Sequence, residues 1–137
     1  MIGLRRQGAR PDGTPADTWR RAIDRLERAE TRYFEKIRFI RDRAVRVELR
    51  HIGEDLTAAV EAFRQAGRAA GPSTAGADAT LVNAVHRAAT LVAHAAEAAM
   101  TAHHAAWRRN TDGVARQLDA VRLLVKAVAE LADSARS

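Results

Sequence analysis

The chain has no cysteine, and it is poor in proline (3), glycine (8) and aromatic residues (4%). Without cysteine there is no disulfide, no thiolate metal site and no cysteine nucleophile. The scarcity of proline and glycine leaves long stretches with nothing to stop a helix. Hydrophobic residues make up 47% of the sequence although aromatics are so few. Most of that apolar content is alanine, the strongest helix former and the poorest filler of a core. Helices of this composition are expected to pack closely through small residues rather than around large ones.

Long apolar runs are missing as well. The best candidate, 88–106, is interrupted by His94, Glu97, His103 and His104, so no membrane span is expected. The first fourteen residues carry arginines with no apolar stretch behind them, which does not match a secretory signal; the expected location is cytoplasmic. Serine occurs only at Ser73, Ser134 and Ser137, outside any Gly-x-Ser-x-Gly context. No glycine-rich phosphate loop follows a strand. An enzyme working through this chain alone is not expected, and neither is a cofactor.

What is present is helical periodicity and positive charge. At 137 residues the chain has the size of one domain. Its formal net charge is +6, and of its 23 basic residues only Lys36 and Lys126 are lysine. Such a balance suits anionic partners. Residues 1–14 read as a disordered basic arm, and 15–137 as a single helical domain. Thr14-Pro15-Ala16-Asp17 is a helix start: a capping hydroxyl, proline at the first helical position, and an acid at the positive end of the dipole. No breaker precedes Gly53, and no strong one precedes Gly71-Pro72.

Trp19, Ile23, Leu26, Tyr33, Ile37, Ile40, Ala44 and Val47 share one stripe of this first helix. A second set, Val45, Leu49, Ile52, Leu56, Val60 and Phe63, is turned from it by about 100°, one residue of slippage. Beyond it, 71–77 reads as a loop, Asp78 as the next cap, and Asn110 to Gly113 as a turn with Thr111 or Asp112 capping the last helix. The expected fold is therefore all-α. It is an antiparallel bundle of three long helices over about 15–70, 79–109 and 113–135, or of four if the first breaks near Gly53. An unbroken first helix would run about 84 Å, against roughly 46 Å and 35 Å for the others. Its surplus apolar stripe needs a cover, and a second copy of the chain would supply one.

Several groupings could carry chemistry. His94 and Glu97 have chelating spacing, and His103 and His104 follow about two turns later, but His86, Glu97 and His104 lie on a polar stripe too extended for one ion. The reading is a solvated face with no metal, and His103 falls on the apolar side as a core or interface histidine. Glu48-Leu49-Arg50-His51 resembles the Glu-x-x-His ligand pair of ferritin-like di-iron proteins. The second such pair and the two further carboxylates are missing, so no di-metal centre is expected. Between Arg20 and Arg50 stand eleven basic and six acidic residues, most of them an interleaved, solvated charge pattern. Phe39 is the exception. It points away from the apolar stripe, among Arg38, Arg41, Arg43 and Arg46, where a partner could dock.

The functional expectation is a non-enzymatic helical interaction protein. Self-association as a homodimer would run through a coiled-coil-like seam of Trp19, Ile23, Leu26, Tyr33, Ile37 and Ile40. A protein partner would meet Phe39 and its neighbouring arginines. The alternative is a basic protein that binds nucleic acid or an anionic surface non-specifically through Arg38, Arg41, Arg43, Arg46 and the arm. A third reading is a metal or small-ligand site at His94, Glu97, His103 and His104.

Overall fold

The computed structural model describes residues 13–136. All of the expected basic arm except Gly13 and Thr14 lies outside these described residues. Among them there are five helices and no strand: α1 (Pro15–Arg38), α2 (Arg43–Ala70), α3 (Pro72–Ala77), α4 (Ala79–Trp107) and α5 (Thr111–Arg136). The all-helical expectation holds. The start of α1 also follows the sequence reading, with the Thr14 hydroxyl accepting from the Asp17 N–H at 3.1 Å and Pro15 in the first turn.

The single long helix over 15–70 does not exist. The chain breaks, but at residues 39–42 rather than near Gly53, and α1 is the shortest of the long helices at 24 residues against 28, 29 and 26. The slip of the apolar stripe explains the position. Ile40 and Val45 are both buried, yet on one continuous helix they would point about 140° apart. Turning the chain between them lets both face one core. Asp42 makes the restart: its backbone is extended and its carboxylate accepts from the Val45 N–H at 3.0 Å, the usual geometry of an N-cap. The Arg46 guanidinium donates to the Ile40 carbonyl at 2.6 Å, satisfying an acceptor that the end of α1 would otherwise strand. Ala44 and Val47, expected on the first stripe, are exposed instead.

Gly53 lies inside α2 and serves packing. A Cβ there would come within 2.6 Å of Cε1 and 2.7 Å of Cζ of Phe34, so the missing side chain is what lets α1 lie close. Gly67 does the same for Trp19, whose ring occupies the space an added Cβ would need. Between these points the Tyr33 hydroxyl donates to the Leu49 carbonyl at 2.7 Å, and Arg64 of α2 pairs with Glu27 of α1. The pairs 19/67, 27/64 and 33/49 make α1 and α2 antiparallel.

The stretch expected as a loop over 71–77 is mostly α3, a short helix opened by Pro72. It packs on α1, with Ala75 buried. Asp78 caps α4 as expected, accepting from Leu81 N–H at 3.1 Å. The cap of α5 is Asn110, whose side-chain oxygen accepts from the Gly113 N–H at 2.9 Å, in place of the expected Thr111 or Asp112. α4 and α5 reverse through Arg108–Asn110 and form a second antiparallel pair. The two pairs stand side by side, α1 against α4 and α2 against α5. Arg25 of α1 reaches the His86 carbonyl and Thr90 on α4, and Arg122 of α5 pairs with Glu48 of α2 at 2.7 Å. The C-terminal ends of α1 and α4 meet, Phe39 and Trp107 lining one cavity, so α1 runs parallel to α4, and with each pair antiparallel α2 runs parallel to α5.

This arrangement places the residues expected as a self-association seam. Trp19, Leu26, Tyr33, Ile37 and Ile40 are buried within the chain, and Ile23 is partly buried against the same core. The cover assigned to a second copy comes from α2, α3 and α4 of the same chain. The buried face of α4 is largely alanine (Ala88, Ala89, Ala95, Ala96, Ala99, Ala102, Ala105), which is why it can approach α1 on one side and α5 on the other.

Ile37 is 2% exposed, so Ile37→Ala should lower unfolding free energy by about 2–5 kcal/mol in urea titration. Tyr33→Phe keeps the ring and removes one buried hydrogen bond, and should cost about 1 kcal/mol in the same measurement.

Candidate functional site

Phe39 and Trp107 stand at the same end of the molecule. Phe39 is the C-cap of α1, and its N–H donates back to the Lys36 and Ile37 carbonyls. Because Ile40 must turn inward, its neighbour Phe39 is thrown outward and is 75% exposed. Trp107 is the last residue of α4 and is 80% exposed. The parallel course of α1 and α4 brings these two helix ends together. Between them lies a cavity of about 390 Å³ lined by Phe39, Arg41, Asp42, His103, Ala106 and Trp107. A second depression on the far side of the indole is bounded by His104 and Arg108.

The walls are apolar and the rim is cationic. The Arg38 guanidinium carbon lies 5.8 Å from the centre of the Phe39 ring, within cation–π range. Arg41 borders the cavity, Arg43 opens α2, and Arg108 and Arg109 form the turn after Trp107. Arg109 has φ 59°, a left-handed conformation uncommon for a residue with a side chain. Among the described residues the side chains of Arg41, Arg43, Arg108 and Arg109 make no ion pair or hydrogen bond. Elsewhere on the helices Arg20, Arg25, Arg64, Arg68, Arg122 and Arg136 do have such partners, while Arg28, Arg32, Arg50, Arg87 and Arg116 do not. Arg46, expected with the outward arginines, has turned its guanidinium to the Ile40 and Arg41 carbonyls.

The histidines separate. His103 is partly buried and lines the cavity, with its ring centroid 5.5 Å from that of His104. His94 and Glu97 are exposed on α4, and no group of three potential ligands gathers among the described residues. Glu48 and His51 go different ways: Glu48 pairs with Arg122, while Nδ1 of His51 lies 3.4 Å from Glu54. His86 belongs to the α1–α4 contact, its Nδ1 3.3 Å from an Arg25 nitrogen. Burial, then the charges of Arg25 and Arg21, hold its pKa below the usual histidine value of 6.5.

Sequence reasoning singled out Phe39 with Arg38, Arg41, Arg43 and Arg46, and passed over Trp107, Arg108 and Arg109. A signal was present. Both helices that finish at this end do so with an aromatic beside arginine, Arg38-Phe39 and Trp107-Arg108-Arg109. No protein-family model, curated protein or solved structure matches this chain.

Two outcomes follow from this geometry. Phe39→Ala should change unfolding free energy by no more than about 0.5 kcal/mol, because an exposed ring contributes little to the fold. For His86, the folded state disfavours the proton relative to the unfolded chain. Its contribution to stability is present above 6.5 and is lost as pH falls through the lower folded-state pKa. Melting temperature should therefore drop on acidification through this range more steeply in the wild type than in His86→Gln; parallel curves would contradict the assignment.

Proposed function

We propose that this chain is a non-enzymatic interaction protein, a bundle of four long helices that presents its Phe39–Trp107 end to a protein partner. The observation that carries the reading is the pair of large aromatic side chains, 75% and 80% exposed, on either side of an apolar cavity. Solvated aromatics of this size are costly unless something covers them, and aromatic and arginine side chains are the residues most enriched where partners dock. Self-association through α1 would require opening the core, because its seam is occupied within the chain. Of the large hydrophobic side chains left exposed, Phe39, Trp107, Leu123 and Val47, the two most exposed are the aromatic pair.

A second reading has one observation in its favour: the concentration of Arg38, Arg41, Arg43, Arg108 and Arg109 around that end. Those cations would also suit nucleic acid or an anionic surface, held electrostatically and released by salt.

The two separate in one experiment. Wild-type protein and the Phe39→Ala/Trp107→Ala variant are immobilised at equal density and used to capture proteins from a lysate. Any protein retained is purified and titrated against both. The interaction reading expects a partner whose affinity falls at least tenfold in the variant while the melting temperature of the variant matches the wild type. Equal retention by both columns would sink it. Nucleic acid bound equally by both and released between low and high salt would favour the second reading instead.

A further inference from the structure

We infer that the Phe39–Trp107 end accepts an acidic segment of a partner protein that inserts one large apolar side chain between the two rings. This rests on the docking role proposed above and names the chemistry of the occupant.

Shape and charge argue for it together. The feature is concave: the cavity of about 390 Å³ is lined by Phe39, Ala106 and Trp107 together with Arg41, Asp42 and His103, a volume at the small end of ligand sites. A concavity suits one inserted anchor residue, the usual form of an interface hot spot, whereas a lipid surface would meet rings standing out on a convex tip. Around the mouth are Arg38, Arg41, Arg43, Arg108 and Arg109 against two acids, Asp42 and Asp112. Asp42, which lines the cavity and accepts from the Val45 N–H, and Asp112 in the first turn of α5 offset part of that charge, and five arginines against two acids leave the rim net positive. Four of the five arginines also have no side-chain partner among the described residues, and carboxylates are the groups that match guanidinium geometry.

The same charge disfavours other occupants. A second copy would bring an identical cationic rim against this one. The chain's own residues 1–12 carry Arg5, Arg6 and Arg10 and no acid except Asp12, and α1 begins at the opposite end, where Pro15 meets Gly76.

The test uses a random twelve-residue peptide library displayed on phage, panned on the wild-type protein and counter-selected on Phe39→Ala/Trp107→Ala. The expected consensus is one large apolar residue with two or more Asp or Glu within a few positions. A synthetic consensus peptide should quench or shift Trp107 fluorescence. Its affinity should fall at least tenfold in Arg41→Gln/Arg108→Gln and again on raising salt from 50 to 500 mM. Circular dichroism and melting of both variants confirm that they fold; if the double charge variant does not, the single Arg108→Gln is read instead, with a smaller loss. Peptides that need Phe39 and Trp107 but are uncharged or basic overturn the acidic assignment and leave the docking role standing. No enrichment, or peptides indifferent to the aromatic pair, overturns both. Vesicles of anionic phospholipid, or random duplex DNA, bound through the same residues more tightly than any peptide would also overturn the proposal.

Discussion

Ile40 and Val45 must both reach one core, and no straight helix can point them the same way. The reversal at 39–42 follows from that constraint, and much else follows from the reversal. It folds a would-be helix of 15–70 back on itself, so that α2 covers the stripe of α1. It makes Asp42 a cap and draws the Arg46 guanidinium onto the Ile40 carbonyl. It also leaves the neighbour of Ile40, Phe39, with nowhere to go but outward. The candidate site is thus a by-product of how the core is closed.

The second condition is the small size of the residues between helices. Glycine at 53 and 67 lets the rings of Phe34 and Trp19 lie on α2, and alanines along α4 let it sit against α1 and α5 at once. Large side chains are then few, and the buried ones, Tyr33, Phe63 and a set of Leu, Ile and Val, carry most of the packing. Polar groups enter these contacts at their edges. The Arg64 cluster with Glu27, Glu30 and Glu61 crosses from α2 to α1. There burial raises the carboxyl pKa of Glu30 although the Arg64 charge works against it. Such pairs fix register more than they add stability.

With the seam of α1 consumed inside the chain, the two exposed aromatic side chains stand where α1 and α4 end together, while Val47 on α2 and Leu123 on α5 are exposed elsewhere. Phe39 and Trp107 are 68 residues apart in sequence and share one cavity. Five arginines gather around them, and the side chains of Arg41, Arg43, Arg108 and Arg109 have no ion pair or hydrogen bond among the described residues, a state they share with Arg28, Arg32, Arg50, Arg87 and Arg116 on the helix flanks. A cationic rim around an apolar hollow is a chemical description of a partner as much as of a surface.

The amino-acid sequence determined the all-α class, the caps at Thr14 and Asp78, the apolar stripes, and the oddity of Phe39 among arginines, because each is a local property of spacing or residue type. It also held the stripe's slip, but not its location. Gly53 looked like the weak point because glycine usually breaks a helix, whereas Asp42, an ordinary acid in an acid-and-base pattern, was the cap. The loop over 71–77 concealed α3 for a similar reason: a short helix gains its stability from packing on α1, not from propensity. Only the tertiary structure decided that α1 is covered by its own chain and runs parallel to α4, and so that Trp107, His103, Arg108 and Arg109 join Phe39. Helix periodicity says which face of each helix is apolar; which faces meet is settled by where the chain can turn and how closely the backbones can approach.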